Sequence, residues 1–245
     1  MAEAVPQLSI IIPAYNEEQR LGGTLAQLAD YLRRQPYSVE VVVVDDGSTD
    51  ATADVARRHA SSLPYFRLLH NPHNLGKGGA VRHGVMASRG DFILLYDADA
   101  STPIEELERF WPHTANTEFV LGTRKAAGAQ ILKHQSPFRE WMGQGFTWLS
   151  NLWLGYLGSD VTCGFKLLRR DAAQAVCRLQ RLNRWAYDAE ILFLARRLGF
   201  RMHEVPIRWM DSAQTRVRLG SDTASSFGEL LQIRWNALRG YYRTR

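Results

Sequence analysis

The sequence predicts an α/β protein built on a mostly parallel central sheet flanked by helices. Three observations carry that expectation. Short apolar runs, of the kind buried on both faces, recur at residues 8–12, 39–44, 65–69 and 92–96. Between them lie stretches with apolar residues at helical spacing, such as Leu21, Leu25, Leu28, Ala29 and Leu32. Several runs end in acids or glycine, which collects polar groups along one sheet edge, where open α/β sheets bind ligands.

The chain has 245 residues, 45% of them hydrophobic and 22% charged, enough for one full core and unlike a disordered segment. A single domain over 1–245 is expected. The net charge of +5 favours anionic partners. The cations are scattered through loops and not along one groove-reading element, so nucleic acid is not expected as a partner. Cys163 and Cys177 have no metal-ligand companions, which suits a reduced, cytoplasmic protein. The first residues lack the charged and apolar regions of a signal peptide. No run of about 18 uninterrupted apolar residues occurs, so no spanning helix is expected.

Taken in order, the strand over 8–12 ends in Pro13-Ala14-Tyr15-Asn16-Glu17-Glu18, a loop with an aromatic and two acids. The strand over 39–44 ends in Asp45-Asp46-Gly47-Ser48-Thr49-Asp50, with Ser48 or Thr49 as cap of a helix over 50–59. The strand over 65–69 leads to a glycine-containing loop over 71–79 and a helix over 80–88. That loop, Asn74-Leu75-Gly76-Lys77-Gly78-Gly79, lacks the first glycine and the Ser/Thr of a P-loop, which argues against an ATPase. Either its N–H groups and Lys77 meet an anion, or it is a tight turn with a solvated lysine. No G-x-G-x-x-G follows the first strand, which argues against a dinucleotide dehydrogenase.

The strand over 92–96 ends in Asp97 and Asp99. Residues i and i+2 of an extended chain point the same way, so both carboxylates can face one point. Held that close they repel unless a cation joins them. A hard divalent ion that also takes diphosphate oxygens suits the place. Alternatively they end the strand or cap the next helix, whose start Thr102, Pro103, Glu105 and Glu106 signal.

The strand over 118–122 ends in Thr123-Arg124-Lys125. Residues 126–136, with Lys133 and His134, show little periodicity and read as a mobile loop that closes over a ligand. Arg124, Lys133 and Arg139 make a basic set. Over 138–158, Phe146, Trp148, Leu149, Leu152, Trp153, Tyr156 and Leu157 fill one half of a helical wheel, against Thr147, Ser150, Asn151 and Gly155. That half either packs on the sheet or lies flat in a membrane interface. Residues 160–170 turn back toward the cleft. Asp188 and Glu190 open a helix, where acids either serve chemistry or simply favour the helix dipole. A strand over 201–209, a polar loop with Arg216 and Arg218, and an amphipathic helix over about 225–240 end the chain. Arg234, Arg239, Arg243 and Arg245 surround that helix.

Three pieces stand in order: Ile-Ile-Pro-Ala-Tyr-Asn-Glu-Glu from Ile11, Val-Val-Asp-Asp-Gly-Ser-Thr-Asp from Val43 and Leu-Tyr-Asp-Ala-Asp from Leu95. The ordered set resembles the family 2 inverting glycosyltransferases, which have the GT-A fold. Residues 74–82, 160–168 and 184–190 are similar to the dolichyl-phosphate β-glucosyltransferase branch, near the polyprenyl-phosphate mannose synthases. The resemblance runs from about Leu8 to Trp235. Relatives often carry a membrane-spanning helix at one end, a pattern from which this sequence departs.

The resemblance implies roles by position. Pro13, Tyr15 and Glu17 would line the base and ribose site, and Asp45 or Asp46 would hold base or ribose. Asp97, Ala98 and Asp99 would serve the ribose, the diphosphate and a Mg²⁺ or Mn²⁺ ion held by Asp97 and Asp99. Lys77, Arg124 and Arg216 would contact donor phosphates, and Asp160, Asp188 and Arg139 would work at the acceptor. The implied reaction is metal-dependent transfer of a hexose, glucose for this branch, with inversion. The donor would be UDP-glucose or GDP-mannose and the acceptor polyprenyl or dolichyl phosphate. The enzyme would sit peripherally on the cytoplasmic face of a membrane. A phosphate acceptor, with a second pKa of about 6, needs little base. The alternatives are a sugar-hydroxyl acceptor, which requires a carboxylate base, and a non-catalytic nucleotide-binding module, against which the intact Asp97-Ala98-Asp99 argues.

Overall fold

The computed structural model describes residues 5–211 and 221–243, with the backbone alone for 221–225. Arg216, Arg218 and Arg245 lie outside the described residues. The chain begins β1 (Leu8–Ala14), α1 (Leu21–Leu32), β2 (Val39–Asp45), α2 (Thr52–Arg58), β3 (Phe66–His70), α3 (Lys77–Ala87) and β4 (Phe92–Leu95). Two 3-10 segments, Ile104–Arg109 and Trp111–His113, lead to β5 (Phe119–Thr123), β6 (Gln130–Lys133) and α4 (Pro137–Leu154). Then come β7 (Lys166–Arg169), α5 (Arg170–Leu179), α6 (Tyr187–Arg197), β8 (Met202–Pro206), β9 (Arg208–Met210) and α7 (Ser221–Leu238).

Seven strands form one sheet in the order β3-β2-β1-β4-β7-β5-β8. All neighbours are parallel except β7, which runs antiparallel to both β4 and β5. This is the α/β sheet flanked by helices that the apolar runs predict. The alternation of the strands divides the core. Ile11, Val42, Val44, Ile93 and Leu95 pack toward α3, α5 and α6. Ile10, Ile12, Val41, Val43 and Leu94 pack toward α1 on the other face. Every residue of β1 and β2 is buried except Pro13, which explains why these strands read as continuous apolar runs.

β1 lies between β2 and β4, so the chain leaves it to one side, through β2 and β3, and returns on the other. This reversal of strand order opens a crevice at the carboxyl ends of β1, β2 and β4.

The structure differs from the sequence expectations at several points. β7 was not anticipated: it is four residues long and starts with a lysine, Lys166, that is only 1% exposed. Residues 126–136 hold an ordered strand, β6, paired in parallel with β9 in a separate two-stranded sheet. Its partner lies some eighty positions away in sequence, so no local signal marks it. The single strand expected over 201–209 is broken after Pro206, with β8 in the main sheet and β9 beside β6. The segment after Thr102 and Pro103 is 3-10 and carries no side-chain cap. α2 starts at Thr52, whose N–H is accepted by Asp50 Oδ1 at 3.0 Å, while Ser48 and Thr49 bond to Asn16 instead. α3 begins three residues earlier than expected, at Lys77, inside the glycine loop.

Candidate active site

The crevice at the strand ends is a cavity of about 780 Å³. Pro13, Tyr15 and Glu17 line it where β1 ends, Asp46 where β2 ends, and Asp97, Ala98 and Asp99 where β4 ends. Glu17 is buried and paired with Arg20, and its N–H donates to Thr52 Oγ1 at 2.7 Å. The two carboxylates after β2 part company. Asp45 turns away, taking His70 Nδ1 at 2.9 Å and the Ser48 N–H at 3.0 Å. Asp46 faces the cavity and accepts from Asn71 Nδ2 and from the N–H groups of Leu75 and Gly76, at 2.7, 3.0 and 2.8 Å. It therefore folds the glycine loop. Gly76 has φ +96°, and a Cβ there would meet the carbonyl oxygen of Asn183 at 2.6 Å, so only glycine permits this approach.

Lys77, the first residue of α3, reaches Asp97 Oδ1 at 2.7 Å. Burial pulls the Lys77 ammonium down, but Asp97 and Asp188 outweigh it and raise it. Burial likewise pushes Asp97 up, and Lys77, Lys166 and Arg124 overcome that and hold it below the usual carboxylate range. Asp97 is thus an anion. Asp99 accepts the Ser101 N–H at 3.1 Å and stands 3.5 Å from Arg20. Ala98 is fixed by its carbonyl, which accepts from Thr24 Oγ1 at 2.7 Å, and Ala100 turns the chain with φ +49°. Gly164 lies so close that a Cβ would meet Asp97 Oδ2 at 2.1 Å.

Among the described residues no three His, Cys, Asp or Glu side chains gather as a ready-made metal cage. Two carboxylates at one strand end are nevertheless the donor set that Mg²⁺ takes when substrate phosphates complete its shell. The residues fit an ion that arrives with a diphosphate.

A second cavity of about 380 Å³ adjoins the first. The two share Lys77, Arg124, Gln135, Thr162, Trp185 and Trp209 as common wall. The inner one is lined beyond that by Lys125, His134, Arg139, Phe146 and Asp188. Arg124 is gripped by Asp160 in bidentate fashion, at 2.7 and 2.8 Å, and lies over Trp209 with 5.2 Å to the ring centre. Burial pushes Asp160 up, but Arg124 outweighs it and brings it down to about 2. A depressed carboxylate stabilises the fold fully above its ordinary value near 3.8 and loses that as pH falls through about 2. The grip on Arg124 therefore holds at any physiological pH. Asp160 orients Arg124 and has no lone oxygen aimed at a ligand.

Asp188 is bonded to Lys166 Nζ at 2.5 Å, and both are almost fully buried. Breaking such a pair from one side leaves a buried charge and costs roughly 3–5 kcal/mol. Asp188→Asn is expected to lower thermal stability by that order, and replacing both partners by apolar residues to recover much of it. Melting curves of the single and double variants decide this. Arg139 makes no ion pair among the described residues. Lys125 donates to Thr147 Oγ1 at 3.1 Å; burial pulls its ammonium down, in the direction opposite to Lys77. Burial pushes the Cys163 thiol up to about 11, so it is no nucleophile. Sequence reasoning had not singled out Lys125, Lys166, Trp185 or Trp209. Lys166 and Trp185 stand inside stretches 160–168 and 184–190, which were visible only as resemblance.

The family model for Glycosyl transferase family 2 matches residues 9–177, more than half of the chain. The chain belongs to this family. Among its relatives, a dolichyl-phosphate beta-glucosyltransferase of Mus musculus is 33% identical over 97% of this chain and 78% of that protein. One of Trichomonas vaginalis is 35% identical over 86% of this chain, which spans 66% of that relative's length. Solved structures share the fold. Mannosyl-3-phosphoglycerate synthase from Rubrobacter xylanophilus matches with a TM-score of 0.72 at 19% identity, over 98% of this chain and 76% of that one. Glucosyl-3-phosphoglycerate synthase from Mycobacterium tuberculosis, in complex with UDP, matches with a TM-score of 0.68 at 18% identity, over 93% and 80%. The expected GT-A fold is the one observed.

Proposed function

We propose that this family 2 glycosyltransferase moves glucose from UDP-glucose to dolichyl or polyprenyl phosphate, with inversion at the anomeric carbon. The observation that carries the reading is the pair of adjoining cavities: Asp97 and Asp99 in the outer one, Arg139 and Lys125 in the inner one, where Glu140 and Asp188 are spent on His134 and Lys166, and Arg124 in their common wall. The names of the relatives, dolichyl-phosphate beta-glucosyltransferases, support the same acceptor.

In this reading Pro13, Tyr15, Glu17 and Asp46 surround the nucleoside, and Lys77 and Arg124 flank its diphosphate. Mg²⁺ or Mn²⁺ on Asp97 and Asp99 would neutralise the charge that the departing diphosphate gains. Arg139 and Lys125 orient the acceptor phosphate in the inner cavity. One of its oxygens forms a bond to the anomeric carbon as the carbon–oxygen bond to the diphosphate breaks. The bonding pair leaves with the UDP. A phosphate monoester is already largely dianionic at neutral pH, so no carboxylate has to take a proton. This agrees with Asp160 and Asp188 both being spent on Arg124 and Lys166. The test is a panel of UDP-glucose, UDP-galactose, UDP-GlcNAc and GDP-mannose, with and without short polyprenyl phosphate, read by product mass. Transfer to a sugar hydroxyl alone would overturn the acceptor, and no turnover would leave a binding module.

The same reading places the chain flat on a membrane, and α4 supports it. Phe138, Trp141, Trp148, Leu152 and Tyr156 recur on one stripe and are exposed, while Thr147 and Ser150 are buried. The helix is apolar on two sides: Phe146, Leu149 and Leu154 pack on the core, and the aromatic stripe stands outside. On α7, Leu231, Trp235 and Leu238 form a second exposed stripe beside Arg234 and Arg239. No described helix is long and apolar enough to cross a bilayer. Sedimentation with vesicles containing phosphatidylglycerol is expected to retain the protein at low salt and release part of it at high salt. Trp148→Ser with Leu152→Ser should abolish retention; equal retention of that variant would refute the stripe as the contact.

A further inference from the structure

Two carboxylates at the foot of the site, one buried and one half-buried beside Arg184, take no part in the chemistry above. Glu190, on α6, is fully buried. It accepts the N–H of Arg181 at 3.1 Å, the N–H of Leu182 at 2.8 Å and the Tyr242 hydroxyl at 2.5 Å. Glu229, on α7, accepts the N–H of Ala186 at 3.0 Å. Both hold the same short segment, residues 181–186, one from each end.

That segment faces the donor cavity. Arg184 and Trp185 line it, and Trp185 belongs to the wall common to both cavities, with Lys77 Nζ at 6.0 Å from its ring centre. The segment is also stitched to the glycine loop and the start of α3. The N–H of Gly79 donates to Asn183 O at 3.0 Å, and Gln180 Nε2 bridges Gly78 O and Leu182 O at 2.9 and 2.8 Å. On its other side α7 is buried through Leu230, Ile233 and Asn236, which share the face of Glu229, whereas the exposed Leu231, Trp235 and Leu238 lie opposite.

We infer that Glu229 and Glu190 are positioning residues, which seat the 181–186 segment on the terminal helix and thereby set where Arg184 and Trp185 stand against the glycine loop. The geometry of the donor cavity is in this way tied to the seating of α7, a helix that contributes almost nothing to the cavity wall itself. The inference rests on the proposed nucleotide-sugar reading only for its kinetic arm.

The test is hydrogen exchange on the full chain without ligand, followed in peptides covering 76–80 and 181–186. Losing the acceptor of the Ala186 N–H in Glu229→Ala is expected to speed exchange about tenfold in both stretches. Glu229→Gln keeps a carbonyl acceptor and should stay near wild type. Tyr242→Phe, nearly unchanged in size, should loosen 181–186 in the same sense. In the kinetic arm, Glu229→Ala should raise the KM for UDP-glucose about fivefold or more with a smaller change in kcat, and Gln should rescue it. Unchanged exchange at 76–80 in the alanine variant, or a glutamine variant as loose as the alanine one, overturns the inference. A wild-type chain that turns over no nucleotide sugar refutes the proposed function instead, and the exchange arm still decides this one.

Discussion

Asp97→Asn is expected to slow transfer by about a hundredfold to a thousandfold, the scale seen when one preorganised electrostatic contact to a developing charge is removed. The carboxylate is an anion held by Lys77 at 2.7 Å, with Lys166 and Arg124 nearby. In the proposed reading, neutralising it removes a ligand for the ion that accompanies the diphosphate. It also frees Lys77, which then lies against an amide. The variant should bind UDP more weakly in the presence of Mg²⁺ than wild type does, with little difference in chelator. Excess chelator should abolish wild-type turnover, and Mg²⁺ or Mn²⁺ should restore it. Full activity in chelator would remove Asp97 and Asp99 from the role of metal site.

Arg139→Ala is expected to raise the KM for polyprenyl phosphate by about tenfold to a hundredfold, leaving the KM for the donor within about twofold. A charge-assisted hydrogen bond is worth roughly 1.5–3 kcal/mol, and 1.4 kcal/mol is a decade. Arg139 lines the inner cavity and not the outer one, so the loss should fall on the acceptor alone. Arg139→Lys keeps the charge without the fork and should lie between. Initial rates at saturating UDP-glucose over a series of acceptor concentrations separate the two constants. A sugar-hydroxyl acceptor would give the opposite ranking: the arginine variant near wild type, and Asp188→Asn without turnover per folded molecule.

The half of the site built on β1, β2 and β4 is written locally in the sequence. β1, β2 and β4 are apolar runs that stop at an acid or proline, so Pro13, Asp46 and Asp97 could be placed at one edge before any coordinates. Which of Asp45 and Asp46 faces the cavity was not legible, because it depends on His70 and on the N–H groups of Leu75 and Gly76, partners 25 to 30 positions away. The other half is written in pairs. A lysine opens β7, and Lys166 is buried only because Asp188, 22 positions away, neutralises it, so no local apolar run marks that strand. β6 and β9 exist only for each other. α4 shows why a helical wheel alone cannot choose a side. Its apolar half was visible, but the structure splits it: Phe146, Leu149 and Leu157 pack on the core, Trp148, Leu152, Trp153 and Tyr156 are exposed, and Thr147 turns in toward Lys125.

β7 runs against its neighbours, and Lys166 stands beside Leu95 at the end of β4 and Leu121 near the end of β5. In a uniformly parallel sheet every loop at the ligand-binding edge leaves a strand; here one loop arrives instead. Thr162 and Gly164 reach the crevice from upstream, with Asp160 behind them on Arg124, and the strand that follows carries on away from it. The edge is therefore assembled from two supplies: exits from β1, β2 and β4, which bring Pro13, Asp46 and Asp97, and an entrance to β7, which brings the grip on Arg124. Because the proposed reading sets Arg124 against the donor diphosphate, and Gly164 lies against Asp97, exchange of the 155–165 stretch between related enzymes is expected to act on donor binding. One reversed strand thus lets a single sheet edge draw on chain running in both directions.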